Sequence, residues 1–157
     1  MKPSALLPLF ALTQVSLADF FLFRVKAGND YGYKISDVPN PGCKMPGQNI
    51  PWYPAKNDVS GGKLGVRCNG DGCSESNDPS GIDEMEMHFS NNPPWHWTIR
   101  KSQNFEMIDT NGGNGWGKCA LLPGFTYKCR GGNGVDEGYR KFHCKTRITA
   151  GQIMQAK

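Results

Sequence analysis

The chain lacks any sustained helical period, any internal repeat, and any later segment apolar enough to span a bilayer. Those absences argue against a helical bundle, a repeat array and a membrane-embedded domain. Metal motifs are missing as well. Cys68 and Cys73 form the only close cysteine pair, with no second CxxC and no HxxxH to complete a tetrahedral zinc set. The loop after Cys68 is acidic, and Asn69, Asp71, Glu75 and Asp78 offer oxygens to calcium. The EF-hand order is absent, because Cys73 stands where an oxygen ligand is required. No Asn-x-Ser/Thr acceptor occurs, so N-linked glycan is not expected. No cofactor motif and no specific catalytic motif is present, and no cofactor is expected. The net charge of +4 is too small to argue for nucleic-acid binding.

What is present begins with a secretion signal. Lys2 supplies a short positive start, Ala5 to Val15 is mostly apolar, and Ser16-Leu17-Ala18 places small residues where a signal peptidase reads. Residues 1–18 are therefore expected to be removed, leaving one secreted, extracellular domain over 19–157 with no membrane attachment, acting as a monomer. Six cysteines lie beyond that point: Cys43, Cys68, Cys73, Cys119, Cys129 and Cys144. An even number in an oxidising compartment predicts three disulfides, with 15 possible connectivities. Charge is uneven along the chain. Six acidic and no basic residues fall between Asp71 and Glu86, whereas eight Lys or Arg from Lys118 onward face only Asp136 and Glu137.

Short apolar runs separated by Gly, Pro, Asn and Asp predict an all-β domain, an antiparallel sandwich or small barrel of about seven or eight strands. Asp19 to Lys26 reads as the first strand, and residues 27–63, punctuated by five prolines, read as a loop-rich segment pinned by Cys43. Within it, Trp52 and Tyr53 suggest either a sugar-binding platform or a plug over one end of the core, the plug being favoured. Lys63 to Arg67 and Phe105 to Asp109 are further strands. Pro123-Gly124 predicts a turn between strands at Trp116–Leu122 and Phe125–Cys129, which would place Cys119 opposite Cys129 and allow a bond between them. RGGNGVDEG then reads as a loop before a last strand at Tyr139–Ile148, and the tail from Ala150 as frayed or as one turn of helix.

The strongest local pattern is EMEMHFSNNPPWHWTIR, residues 84–100. Folded about a five-residue turn at Ser90–Pro94, it pairs like with like: Met85, Met87, Phe89, Trp95, Trp97 and Ile99 on one face, Glu84, Glu86, His88, His96, Thr98 and Arg100 on the other. The polar face admits three interpretations. Glu86 as base, a histidine as acid and Arg100 as anion clamp would suit a guanyl-type ribonuclease or another phosphodiesterase. His88, His96 and Glu86 would suit a metal. A simple solvated face, with Glu84 and Arg100 as a cross-strand pair worth at most about 1 kcal/mol, is favoured over both. The last strand carries Lys141, His143, Lys145 and Arg147 on one face, which would extend the site toward phosphate or an acidic protein if it lies alongside the hairpin; a soluble strand edge, where lysine discourages sheet-to-sheet association, is favoured.

The segments DFFLFRV, DVSGGKLGVRCNGDGC, IDEMEMHFSNNPPWHWTIR, WGKC, PGF and YRKFHC together resemble a group of small secreted cysteine-rich proteins of filamentous ascomycete fungi. The resemblance covers most of residues 19–157. It implies secretion and a disulfide-bonded fold, and by class an effector-like role toward a host or a competing microbe; it implies no catalytic residue. The leading expectation is a non-enzymatic secreted binding protein whose partner is an unidentified protein or cell-wall glycan. The alternatives are a small hydrolase using the 84–100 hairpin and a carbohydrate-binding module using Trp52, Tyr53 and Trp116.

Overall fold

A computed structural model describes residues 18–44, 50–131 and 134–156. The predicted signal peptide, save Ala18, lies outside them. The fold is an all-β, disulfide-stabilised antiparallel sandwich. Its elements are β1 (Ala18–Ala27), β2 (Asp30–Ser36), β3 (Tyr53–Pro54), β4 (Gly65–Asn69), β5 (Glu84–Asn91), β6 (Pro94–Arg100), β7 (Ile108–Asp109), β8 (Gly117–Leu121), β9 (Thr126–Gly131) and β10 (Gly134–Thr146). A C-terminal helix α1 (Ala150–Gln155) opens on a capping box, in which the Thr149 hydroxyl accepts from the Gln152 backbone while the Gln152 side chain accepts from the Thr149 backbone. Among the described residues no helix is long and apolar enough to cross a membrane.

One sheet runs β3-β2-β1-β10-β8, with β9 also paired to β10; the other runs β4-β5-β6-β7. Phe20, Leu22, Ile35 and Phe142 from the first meet Met85, Met87, Trp97 and Ile99 from the second in one core. Both sides of the sandwich are laced together. The chain after β3 donates from Ala55 to Tyr31 in the first sheet, and Ala55 bridges Val66 in the second. Opposite, Glu106 bridges Lys118 on β8 while Ile108, two residues later, pairs with Thr98 on β6. Such stitching leaves few free edges for association with another chain.

The first sheet is also covered on its outer face. Phe21, Phe23, Val25 and Tyr127 form a second apolar cluster, with Ile50, Trp52, Leu122 and Phe125 packed against it. Alternation along β1 requires this, because Phe20 and Leu22 face the inner core while Phe21, Phe23 and Val25 face outward, so β1 is apolar on both sides. The Cys43–Cys129 disulfide fastens the covering segment to β9.

Four expectations are corrected. Residues 30–36 are not loop: Tyr31, Tyr33 and Ile35 alternate and pair with β1. Within RGGNGVDEG, residues 130–131 and 134–138 are strand rather than loop, since β9 continues to Gly131 and β10 starts at Gly134. Pro123-Gly124 does not reverse the chain. β8 and β9 run in succession along the same side of β10, and residues 122–125 form a bulge opposite Arg140 and Lys141, closed by bonds from Leu122 N to Lys141 O and from Arg140 N to Phe125 O. Cys119 and Cys129 therefore lie in succession beside β10 rather than opposite each other. The bonds are Cys119–Cys144, directly opposed across β8 and β10, Cys43–Cys129 and Cys68–Cys73.

Candidate functional site

The hairpin of β5 and β6 keeps the predicted register from Glu84↔Arg100 to His88↔His96, then shifts by one residue at Phe89. Ser90 faces Trp95 and Asn91 faces Pro94, so the turn is the tight Asn92-Pro93 rather than five residues. Phe89 is the inserted residue and still reaches the core, packing on Tyr53 with ring centroids 4.4 Å apart.

On the outer face the polar side chains bond to one another. Arg67 of β4, which pairs with Glu86 in register, donates from Nε to Glu86 Oε2 at 3.0 Å and from Nη2 to Glu84. Arg100 donates from Nε to the other oxygen of Glu84. His96 Nε2 meets Glu86 Oε1 at 2.9 Å, and the His96 ring lies parallel to that of His88, centroids 4.1 Å apart. His88 Nδ1 donates to the Val59 carbonyl at 3.0 Å, which fixes its tautomer. Val59 is fully buried, so the loop after β3 roofs the histidine end of the network.

The electrostatics follow from this geometry. Burial opposes ionisation of Glu84, but the hydrogen bonds and charges of Arg67 and Arg100 outweigh it and hold the carboxyl below its ordinary range. Burial is the largest influence on His96 and lowers its pKa; the neighbouring His88 adds to that, while Glu86 opposes it. The carboxylate that would serve as general base is thus engaged by Arg67 and His96 together, and the arginine that would clamp an anion is engaged by Glu84. Parallel imidazoles, each committed to a different acceptor, do not converge on a metal. Among the described residues no three His, Cys, Asp or Glu side chains form a metal-binding group.

The predicted basic face of the last strand divides. A bulge opposite Leu22 and Phe23 turns Lys141 inward, where it is fully buried. Its ammonium donates to the carbonyls of Gly72, Ser74 and Ser76 at 2.9, 2.8 and 2.8 Å. The acidic loop considered for calcium does surround a cation, but with backbone carbonyls, and the cation is Lys141. Burial and the charge of Arg24 pull the Lys141 pKa down to about 8, with Asp78 and Glu75 opposing. His143 lies flat on Phe21, centroids 4.5 Å apart, and bonds Asp19 Oδ2 through Nε2 at 2.9 Å. Lys145 and Arg147 are exposed, and Lys145 stands opposite the exposed Lys118 of β8.

The aromatic candidates do not share a surface. Tyr53 is buried in the inter-sheet core, where burial raises its hydroxyl pKa to about 12. Trp52 packs on the opposite face, over Gly32, where a Cβ would lie 2.5 Å from its ring. Trp116 packs beside Trp95 and Trp97 and donates from Nε1 to Asp109 at 3.1 Å. A plug fits this placement better than a sugar platform.

Three participants were not visible as site residues in the sequence. Arg67 lies 17 residues before Glu84 and only strand pairing brings it there; the alternation of Val66, Arg67 and Cys68 is the one local sign that it faces outward. Asp19 joins His143 across 124 residues. Arg24 stands over the rings of Tyr31 and Tyr33 at 5.1 Å from each, and nothing in the first strand's own pattern marks it. Comparison with protein-family models, with curated proteins and with solved structures finds no match to this chain.

Proposed function

We propose that this is a secreted, non-enzymatic binding protein, effector- or toxin-like, that engages an acidic surface on a host or competitor protein. The observation that carries this reading is the mutual engagement of the hairpin's polar side chains. Glu84, Glu86, His96, Arg67 and Arg100 form one closed network, which leaves no free base beside a free acid. By contrast Lys118, Lys145 and Arg147 are exposed, and none has an ion pair among the described residues. Exposed cations without ion pairs steer an acidic partner and raise its association rate. Three disulfides fit an oxidising, extracellular-type environment. The resemblance to secreted cysteine-rich fungal proteins supports the same class.

The test compares the oxidised protein with a Lys118→Glu, Lys145→Glu, Arg147→Glu variant as bait in host and microbial extracts. The proposal expects a specific acidic partner that the wild type retains, that the variant loses, and whose binding weakens steeply with salt. Hydrolysis of RNA by the wild type, abolished by Glu86→Ala, together with no salt-sensitive partner, overturns it in favour of the hydrolase.

A further inference from the structure

We infer that a cleft between the two sheets, on the side stitched by the chain after β3, is a binding site for a small oxyanion, a carboxylate or a phosphoryl group. The cleft has a volume of about 190 Å³, and its walls include Arg24, Tyr33, Lys56, Asn57 and the Cys68–Cys73 disulfide. It is distinct from the exposed cations of β8 and β10, and the inference does not depend on their role.

Two cations line this cleft and no carboxylate does. Arg24 has no ion pair among the described residues, and neither does Lys56. Arg24 Nε is buried without an acceptor. A buried donor left in that state is costly, more so when it is charged, so an oxyanion that reaches it recovers energy that the fold alone forgoes. The guanidinium is also well prepared. The rings of Tyr31 and Tyr33 lie 5.1 Å from its centre, and the Tyr33 hydroxyl takes a side-chain hydrogen bond from it, which holds the group in place and leaves Nε as its unpartnered donor.

Lys56 is placed by the stitch itself. Its backbone N–H donates to Val66 O at 3.0 Å, and its aliphatic stem lies over Gly65, where a Cβ would come within 3.2 Å of its Cδ. Lys141 is near enough to Arg24 for the two charges to repel, although Asp78 and Glu75 offset Lys141 from its own loop. A small body fits better than a drug-sized one, since ligand pockets for the latter run from about 300 Å³ upward. Tyr33, Val66 and Ala55 give that body an apolar wall.

The experiment titrates isotope-labelled oxidised protein with sodium acetate and separately with sodium phosphate at constant ionic strength, following backbone amides and the Arg24 Nε–H by NMR. Saturable shifts at Arg24, Tyr33 and Asn57 are expected for at least one anion. The stronger of the two identifies a carboxylate or a phosphoryl ligand. Arg24→Gln is expected to weaken binding tenfold or more, as loss of a charge-assisted pair does. Lys56→Glu changes an exposed side chain, keeps the fold, and is expected to abolish saturation even if Arg24→Gln fails to fold. The inference is overturned if neither anion saturates, if the shifts centre on Lys145 and Arg147, or if Lys56→Glu binds as the wild type does.

Discussion

At the scale of single residues, Lys141 shows how a fully buried charge is tolerated. An ammonium has three donors, and three carbonyls 2.8 to 2.9 Å away take all of them, so the charge is buried with its hydrogen bonds complete. Lys141→Met would keep the stem's volume and leave Gly72, Ser74 and Ser76 without their shared donor. The expected cost is about 3 kcal/mol in urea unfolding, with faster amide exchange confined to residues 70–79. A change no larger than that of an exposed lysine would mean the carbonyls are satisfied by water.

His96 makes a prediction in pH. Its pKa in the folded protein is below the ordinary 6.5, chiefly through burial. Between those two values the unfolded chain holds a proton that the folded one does not, so acidification favours unfolding. The contribution is fully present above 6.5 and is lost as the pH falls through the folded value. Glu84, also lowered, from 4.5, adds a second loss at more acid pH. Stability measured by urea midpoint should therefore fall in two stages between pH 7.5 and 3. His96→Gln is expected to remove the first stage and keep the second; persistence of both would assign the first to another group.

At the scale of elements, legibility depended on whether pairing partners were close in sequence. The 84–100 hairpin was readable because alternation and register agree over five consecutive pairs, and a one-residue slip there would expose Met87 and Trp97. The slip at Phe89 was not readable, since a five-residue and a two-residue turn serve nearly the same pattern. Pro123-Gly124 misled for a related reason. The dipeptide marks a backbone departure, but whether that departure is a turn or a bulge is decided by β10, a long strand on which β8 and β9 both find partners. β2 was hidden by its composition, as Gly32 and Lys34 break an apolar run yet serve specific contacts: Gly32 admits the Trp52 ring and Lys34 pairs with Asp136 at 3.3 Å. Gly138 on β10 is the counterpart. A Cβ there would lie 2.0 Å from the Tyr127 ring, which is held by its hydroxyl bond to Asp136 at 2.8 Å. Gly138→Ala is expected to destabilise by about 1 to 3 kcal/mol through overpacking. An unchanged melting temperature would show that the ring moves freely.

At the scale of the whole molecule, the fold is one sheet held between two covers, with the second sheet on its inner face and the segment after β2 on its outer face. The inner cover is secured by a large apolar core and by stitches along both sides. The outer cover has fewer strand contacts, and its anchors are Cys43–Cys129 together with Arg140, whose guanidinium bonds the carbonyls of Pro39, Leu122 and Pro123 and the side chain of Asn40. The three disulfides should therefore differ sharply in worth. Their sequence separations are 86 for Cys43–Cys129, 25 for Cys119–Cys144 and 5 for Cys68–Cys73. Loop-closure entropy alone assigns roughly 4.5, 3.5 and 2 kcal/mol in that order. Loss of the first also releases the cover over Phe21, Phe23 and Val25, so its removal should lower stability and expose apolar surface at once. Cys43→Ala with Cys129→Ala is expected to show the largest fall in urea midpoint of the three double variants and, alone among them, increased binding of a hydrophobic dye before global unfolding. If Cys119→Ala with Cys144→Ala proves the most damaging instead, the β8–β10 pairing, rather than the outer cover, is the weak point that oxidation secures.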